Sequence, residues 1–353
     1  MDGQQRLNGR LPASICLVLC ILLAPVAPAS DAPVPLPPSP QRPSAASGAT
    51  KISVAAWFAD ISNVDSAAQT FSANLFFMLR WHEPSLVRRG TETKTYALGD
   101  LWHPRWLIAN EGESLRLSLP ETINVAPDGS TVYRQRVFGS FSQALNLHRF
   151  PFDRARFRVH LILPGHTPEE IQFVPDESAV AAGMPMAVGR ADEITLKDWR
   201  VTSMSAHPQS YVAAPGVEIA GYAIEFNADR RAQYYLLKVM FPLLLIVLMS
   251  WAVFWIDPSQ TAPQISVAIT SMLTLIAYRF AVGADVPKLP YLTLLDAFIL
   301  ASSVLVFLSL VEVVITTTLA VGGRIEAARA IDRHGRWIFP SAFSIVTVAI
   351  LLR

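Results

Sequence analysis

Charge is scarce in this chain. Asp, Glu, Lys and Arg make up 16% of its 353 residues, against 52% hydrophobic, and the mean hydropathy is +0.34. A soluble domain carries about 25% charged residues, so part of the protein does not face water. Neither sign dominates, with 29 Lys and Arg against 28 Asp and Glu. A net charge of +1 gives no global attraction for nucleic acid, and none is expected as a partner. Cysteine is nearly missing: Cys16 and Cys20 are the only two, both close to the N-terminus. That excludes a disulfide scaffold and a thiolate metal site.

Catalytic signatures are missing as well. No HExxH, GxSxG, P-loop or C-x-x-C occurs, and the histidines are not spaced as a metal cluster. No enzyme, no cofactor and no metal is therefore expected. A transporter would show an internal inverted repeat, and none is visible.

What is present falls into four stretches. Arg6 and Arg10, the apolar residues 15–24 and the small-x-small Ala27-Pro28-Ala29 form an export signal over residues 1–29. An uncleaved anchor is the alternative, but so short an apolar stretch cannot cross a hydrocarbon core of about 30 Å. Residues 30–50, rich in Pro, Ser and Ala, read as a disordered or polyproline linker.

Residues 51–231 carry short apolar–polar alternations such as Phe157-Arg158-Val159-His160-Leu161 and Tyr222-Ala223-Ile224-Glu225-Phe226. Pro127-Asp128-Gly129 and Pro164-Gly165 punctuate them as turns. Alternation buries one face of each strand and wets the other, as in an antiparallel sandwich. An all-β domain is expected here.

Residues 232–353 form an all-α membrane domain with apolar runs at 234–256, 263–282, 291–319 and 337–352. Trp251, Trp255 and Trp337 mark inner ends, and Tyr234, Tyr235 and Tyr291 outer ends. Arg324, Arg329, Arg333 and Arg336 concentrate in the connector 321–336, whereas the loop after the second run has only Lys288. The positive-inside rule places that connector in the cytoplasm and the β domain outside. The expected location is the inner (plasma) membrane, multi-pass, with the C-terminus also outside.

In the second run Ser266, Thr270, Leu273, Ala277 and Phe280 share one helical face. Such a face either lines water around a symmetry axis, with apolar rings closing it by dewetting, or lets helices pack closely. Arg279 and Asp296 lie at similar depth and are expected to pair, since intramembrane charge is costly alone. Glu312 should face protein or an inner vestibule.

Several short stretches, in order, resemble the pentameric ligand-gated ion channels, the Cys-loop receptors and their bacterial relatives. Phe150-Pro151-Phe152-Asp153 followed by Phe157 is similar to the family's signature loop, with Gln143 and Phe157 where bridged cysteines stand in other members. Trp81 after Leu79-Arg80, Trp102-His103-Pro104, Trp199, Pro242 and Pro287-Lys288-Leu289-Pro290-Tyr291 are the remaining matches. The resemblance covers residues 51–353.

It implies a homopentamer with an immunoglobulin-like extracellular ligand-binding sandwich above a pore lined by the second helix. The stripe residues would line that pore, with Leu273 and Phe280 as gate. Coupling would run through Asp65 in an Asn63-Val64-Asp65 turn, through Phe150, Pro151, Phe152 and Asp153, and through Pro287 and Lys288. Arg230 or Arg231 would supply the cation facing Asp65 or Asp153. By position, Phe76, Asn110, His166, Tyr211 and Tyr222 are the ligand-site candidates, the last two flanking the hairpin tip at 213–217. The partners implied are permeant ions, the lipid bilayer, and a small-molecule agonist, an amine among the options, or protons.

His82, His103, His148, His160, His166 and His207 all lie in the exported half. Protons are expected to modulate rather than open the channel. The segment Gln260-Thr261-Ala262-Pro263-Gln264 lacks the glutamate of many cation-selective members, while Asp285 favours cations at the outer mouth. Monovalent cations are the expected permeant ions, with anion selectivity and a non-conducting receptor as alternatives.

Overall fold

The computed structural model describes residues 42–43, 48–181, 187–283, 286 and 289–352. The export signal, most of the linker, and Asp285, Pro287 and Lys288 lie outside them.

Strands come first along the chain. They are β1 (Thr50–Asp65), β2 (Thr70–His82), β3 (Lys94–Ala97), β4 (Leu107–Ile108), β5 (Arg116–Leu117), β6 (Thr122–Val125) and β7 (Ser130–Ser142). Then follow β8 (Arg154–Ile162), β9 (Ile171–Pro175), β10 (Val188–Arg190), β11 (Trp199–Pro208), β12 (Tyr211–Ala214), β13 (Val217–Ile219) and β14 (Gly221–Arg230). One sheet runs β10-β1-β2-β7-β6-β3, with β9 on β1 and β5 on β7; the other runs β11-β14-β8-β4. The separate β12–β13 pair forms a protruding hairpin.

Strand β2 shows why the sequence folds this way. Phe71, Ala73, Leu75, Phe77, Leu79 and Trp81 are buried and every intervening residue is not, the period-2 pattern of a sheet with one covered face. Phe157 stacks on Phe226 with ring centres 4.8 Å apart and meets Phe71 and Trp199 edge-on, both at 5.3 Å. Each such pair adds about 1 kcal/mol beyond area burial.

The expected turn at Asn63-Val64-Asp65 is corrected. Strand β1 continues to Asp65, with a register shift before Val64, and the turn falls on residues 66–69.

Four helices follow, each long and apolar enough to cross a membrane: α1 (Gln233–Trp255), α2 (Thr261–Val282), α3 (Leu294–Val321) and α4 (Ile325–Leu351). Pro242 has no N–H to give, and the turn before it, Leu236–Met240, widens to π-helical geometry. Helix α4 begins twelve residues before the apolar run at 337, so the connector 321–336 is corrected to a turn at 322–324. Alanines favour helix there, and the arginines do not interrupt it: Arg333 is exposed, while the half-buried Arg329 and Arg336 reach Asp257 and the Phe254 carbonyl.

Candidate functional site

The second helix packs against the rest of the chain along one narrow side. Gln264, Ala268, Ser271, Leu275 and Val282 are buried against the rest of the chain. Ser266, Thr270, Leu273, Ala277 and Phe280 all lie on the exposed side, Leu273 at 61% and Phe280 at 83%. Hydroxyls at Thr270 and Thr274 donate to carbonyls one turn back, both at 2.7 Å, which keeps them satisfied inside a membrane helix. The Tyr278 hydroxyl donates to the Val239 carbonyl of α1 at 2.5 Å and ties α2 to the π-helical turn.

Above the helices, the signature loop fits against α3. The N–H of Leu294 donates to the His148 carbonyl at 2.9 Å, and that of Leu295 to the Phe150 carbonyl at 3.1 Å. A helix start leaves such N–H groups without partners, so the loop acts as a cap. Thr293 and Asp296 complete it: the Asp296 N–H donates to Thr293 Oγ1 at 3.1 Å, and Asp296 Oδ2 accepts from Thr293 N at 3.0 Å. Tyr291 sits edge-on to His148, ring centres 4.2 Å apart, and accepts from the Leu147 N–H at 3.2 Å.

Of the two candidate arginines, the buried one is Arg230. It holds Asp153 at two points, Nε to Oδ1 at 2.8 Å and Nη2 to Oδ2 at 3.1 Å. Its guanidinium lies 4.2 Å from the Trp199 ring centre and 4.8 Å from that of Phe150. Arg231 is exposed and contributes its backbone N–H to Asp198. Asp65 is corrected: it meets neither arginine, and its Oδ1 accepts from the Ala67 and Ala68 N–H groups in the following turn. Phe150 and Pro151 are buried, and Phe152 is exposed beside them.

Where other members have a bridge, this loop closes differently. Gln143 Oε1 accepts from the Arg158 N–H at 3.1 Å, and Phe157 goes into the aromatic core.

A cavity of about 540 Å³ opens beneath the β12–β13 hairpin, reaching from Asn110 to Tyr211 past Arg154, Arg156, Arg158 and His160. Asn110 braces it, donating to the Ser142 and Arg158 carbonyls and accepting from the His160 N–H. His160 Nε2 lies 3.0 Å from the Gln209 carbonyl, with its ring edge-on to Tyr211 at 5.6 Å. Burial holds the His160 imidazole below its ordinary value, with the Arg158 charge adding to the effect. Gly221 is required here, since a Cβ would come within 2.9 Å of His160 Nε2. Arg158 is held by the buried Glu225 at 2.6 Å, and Arg154 by Asp229 at 3.3 Å.

Within one chain the five ligand-site candidates do not gather. Asn110 and Tyr211 line that cavity. His166 lies 3.2 Å from Glu170, and its ring is edge-on to Trp102. Phe76 is half-buried on the outward side of β2, opposite Trp57 and Arg136. Tyr222 is corrected outright: it is 0% exposed, packed near Phe173, and burial pushes its phenol up to about 12. It is a core residue.

The expected Arg279–Asp296 pair is also corrected. Both line a cavity of about 550 Å³ at the outer end of α2 and α3, yet Asp296 is committed to the α3 cap and no ion pair forms. The side chains that sequence reasoning missed are Arg158 with Glu225, and Asp332 as the partner of Glu312. The alternating parity of Glu225 and Arg158 on paired strands was the available signal.

Comparison with known proteins agrees with this architecture. The chain is 27% identical over 300 residues to a proton-gated ion channel of Gloeobacter violaceus, covering 81% of this chain and 78% of that protein. Residues 39–228 match the neurotransmitter-gated ion-channel ligand binding domain, and residues 239–324 match the corresponding transmembrane region. An extracellular β-rich domain, a capped membrane junction and four spanning helices thus place the chain in the family of neurotransmitter-gated, pentameric-type ligand-gated ion channels.

Proposed function

We propose that the chain is one subunit of a homopentameric channel whose pore is lined by Ser266, Thr270, Leu273, Ala277 and Phe280, with Leu273 and Phe280 as the closed gate. One observation supports this reading: the stripe lies within the broad side of α2 that the protomer leaves exposed, with Ile269, Thr274 and Ile276 beside it, while the opposite side packs inward. Five such sides around an axis bury one another and enclose a channel that dewets at the apolar rings.

Opening needs a ligand that binds two global states with different affinity. The cavity under the β12–β13 hairpin is the proposed ligand site, completed by the neighbouring subunit. Its charged lining residues are Arg154, Arg156 and Arg158, which disfavour a simple ammonium ligand. The relative's description as a proton-gated channel supports protons as a stimulus here too. Arg230 and Asp153, with the loop carbonyls on α3, transmit the movement of the sandwich. Cation preference is supported by Asp285, which follows the outer end of α2 in the sequence. Asp257 is held 3.2 Å from Arg329 and offers no free carboxylate at the inner end.

The test is cysteine substitution along α2 with a charged, thiol-reactive methanethiosulfonate. Cysteines at Ser266, Thr270 and Ala277 should react and change the current, and one at Leu275 should not. Equal reactivity on both faces would sink the pore assignment.

A further inference from the structure

One group of buried polar side chains has no part in the proposed gating. It lies among α2, α3 and α4 near the cytoplasmic end of the bundle. Gln264, in the first turn of α2, donates its Nε2 proton to Asp332 Oδ2 of α4 at 3.3 Å. Glu312, on the packed neighbour helix α3, brings a second carboxyl close enough to that of Asp332 for the two to interact. Gln264 and Asp332 are both 0% exposed. Both oxygens of Glu312, Oδ1 of Asp332 and Oε1 of Gln264 are buried and meet no protein donor.

Those four atoms are all acceptors. Two ionised carboxylates in contact repel, and inside a membrane bundle a charge is kept only when paired or wet. The nearby cations are engaged elsewhere. Arg336, one turn along α4 from Asp332, donates to the Phe254 carbonyl at 2.9 Å and lies over the Trp255 ring. Arg329 is taken by Asp257 and Glu326. Arg336 and Asp257 act on Asp332 only from a distance and with opposite sign, and His334 donates its Nδ1 proton to the Ala330 carbonyl of its own helix at 2.7 Å. No group of three His, Cys, Asp or Glu side chains suited to a metal occurs among the described residues. The smallest ligand that satisfies neighbouring buried carboxyls is a proton, which turns one of two acceptors into a donor.

We infer that Glu312 and Asp332 together form a proton-binding site, with Gln264 as its third wall, open to the cytoplasmic side. Glu312 sits nine residues before the end of α3, about 13 Å along the helix from the cytoplasmic turn. Glu312 also borders a groove of about 590 Å³ between α3 and α4, whose other lining residues are apolar apart from His334. Loss of the proton leaves two facing charges and drives α3 and α4 apart. Gln264 stands two residues before Ser266, so that separation moves the inner end of the proposed pore. The consequence for the pore rests on the reading above; the proton itself does not.

The experiment uses the full chain in lipid vesicles and reads the carboxylic C=O stretch by infrared difference spectroscopy. A protonated-carboxyl band present in the unaltered protein should disappear in Glu312→Gln and in Asp332→Asn. Either variant alone suffices if the other does not assemble. Absence of that band, or its persistence in the double variant, overturns the proposal. So does a carboxylate signature accompanied by a sodium- or calcium-dependent rise in melting temperature, which would make the site a metal site. A second arm varies pH on the cytoplasmic face of a patch. Current should depend on that pH in the unaltered protein and be flat in Glu312→Gln, with the response to external pH retained. An unchanged internal response in the variant contradicts the link to the pore. Failure of the channel reading would leave the infrared result standing.

Discussion

Arg230 and Asp153 join the last strand of the sandwich to the signature loop through two parallel hydrogen bonds, their side chains 3% and 2% exposed. Two rings, Phe150 and Trp199, cover the guanidinium. Asp153 ends the loop whose carbonyls cap α3, and Arg230 stands three residues before α1. One ion pair therefore spans the junction between the extracellular domain and two membrane helices.

Arg230→Gln leaves Asp153 buried without its cation, a change that costs about 3–5 kcal/mol. The expected outcome is a markedly lower melting temperature, and little or no gated current from what reaches the surface. Arg230→Lys keeps the charge but not the planar fork or the stacking, so it should recover only part of the stability. Full stability in Arg230→Gln, by thermal unfolding in detergent, would show the pair to be dispensable.

Tyr222 offers a contrasting expectation. Its hydroxyl is buried and has no hydrogen-bond partner among the described residues, so the oxygen destabilises rather than stabilises. Tyr222→Phe should leave agonist or proton sensitivity unchanged and raise stability by up to about 1 kcal/mol. A large shift in the dose–response curve would place the ring in a ligand site after all.

Acid should act through His160. Burial lowers its folded pKa below the ordinary value of about 6.5. In the window between those two values the unfolded chain binds more protons than the folded one, and stability falls as pH drops. Charging this buried ring beside Arg158 is therefore expected to loosen the packing under the β12–β13 hairpin, read as faster amide exchange around Tyr211, while the Gln209 carbonyl goes on accepting from Nε2. In His160→Gln the exchange should lose most of that pH dependence, and identical profiles for both proteins would rule His160 out.

Much of this architecture was legible from local pattern. The strict alternation in β2 and the apolar runs of α1 to α3 reflect one-sided and all-round burial, which a sequence displays directly. Strand β14 was harder. Its alternation suggested one wet face, but β8 and β11 flank it and Tyr222 through Phe226 are all buried, with Glu225 tolerated inside because Arg158 meets it. Tyr222 was misplaced for that reason. The choice between Arg230 and Arg231 could have been made by parity, since Arg230 shares a face with Phe226 and Ala228.

The partner of Glu312 was hidden by the reading of 321–336 as a connector. With the turn confined to 322–324, Glu312 and Asp332 lie at nearly equal distances from it on antiparallel helices, the depth at which the two can meet. The Arg279–Asp296 expectation failed differently. Depth was matched correctly, but Thr293 three residues before Asp296 is a capping-box spacing that claims the carboxylate locally.

The central claim, that the exposed side of α2 lines a pore closed at Leu273, is tested most directly by Leu273→Ser. The variant is expressed in oocytes, and resting current is recorded while external NaCl is diluted. A polar ring should not dewet, so the account expects a standing leak without any agonist, and a reversal potential that moves in the negative direction as cations carry it. A positive shift would reverse the selectivity and keep the pore. No leak, with pentamers confirmed at the surface, would contradict the account.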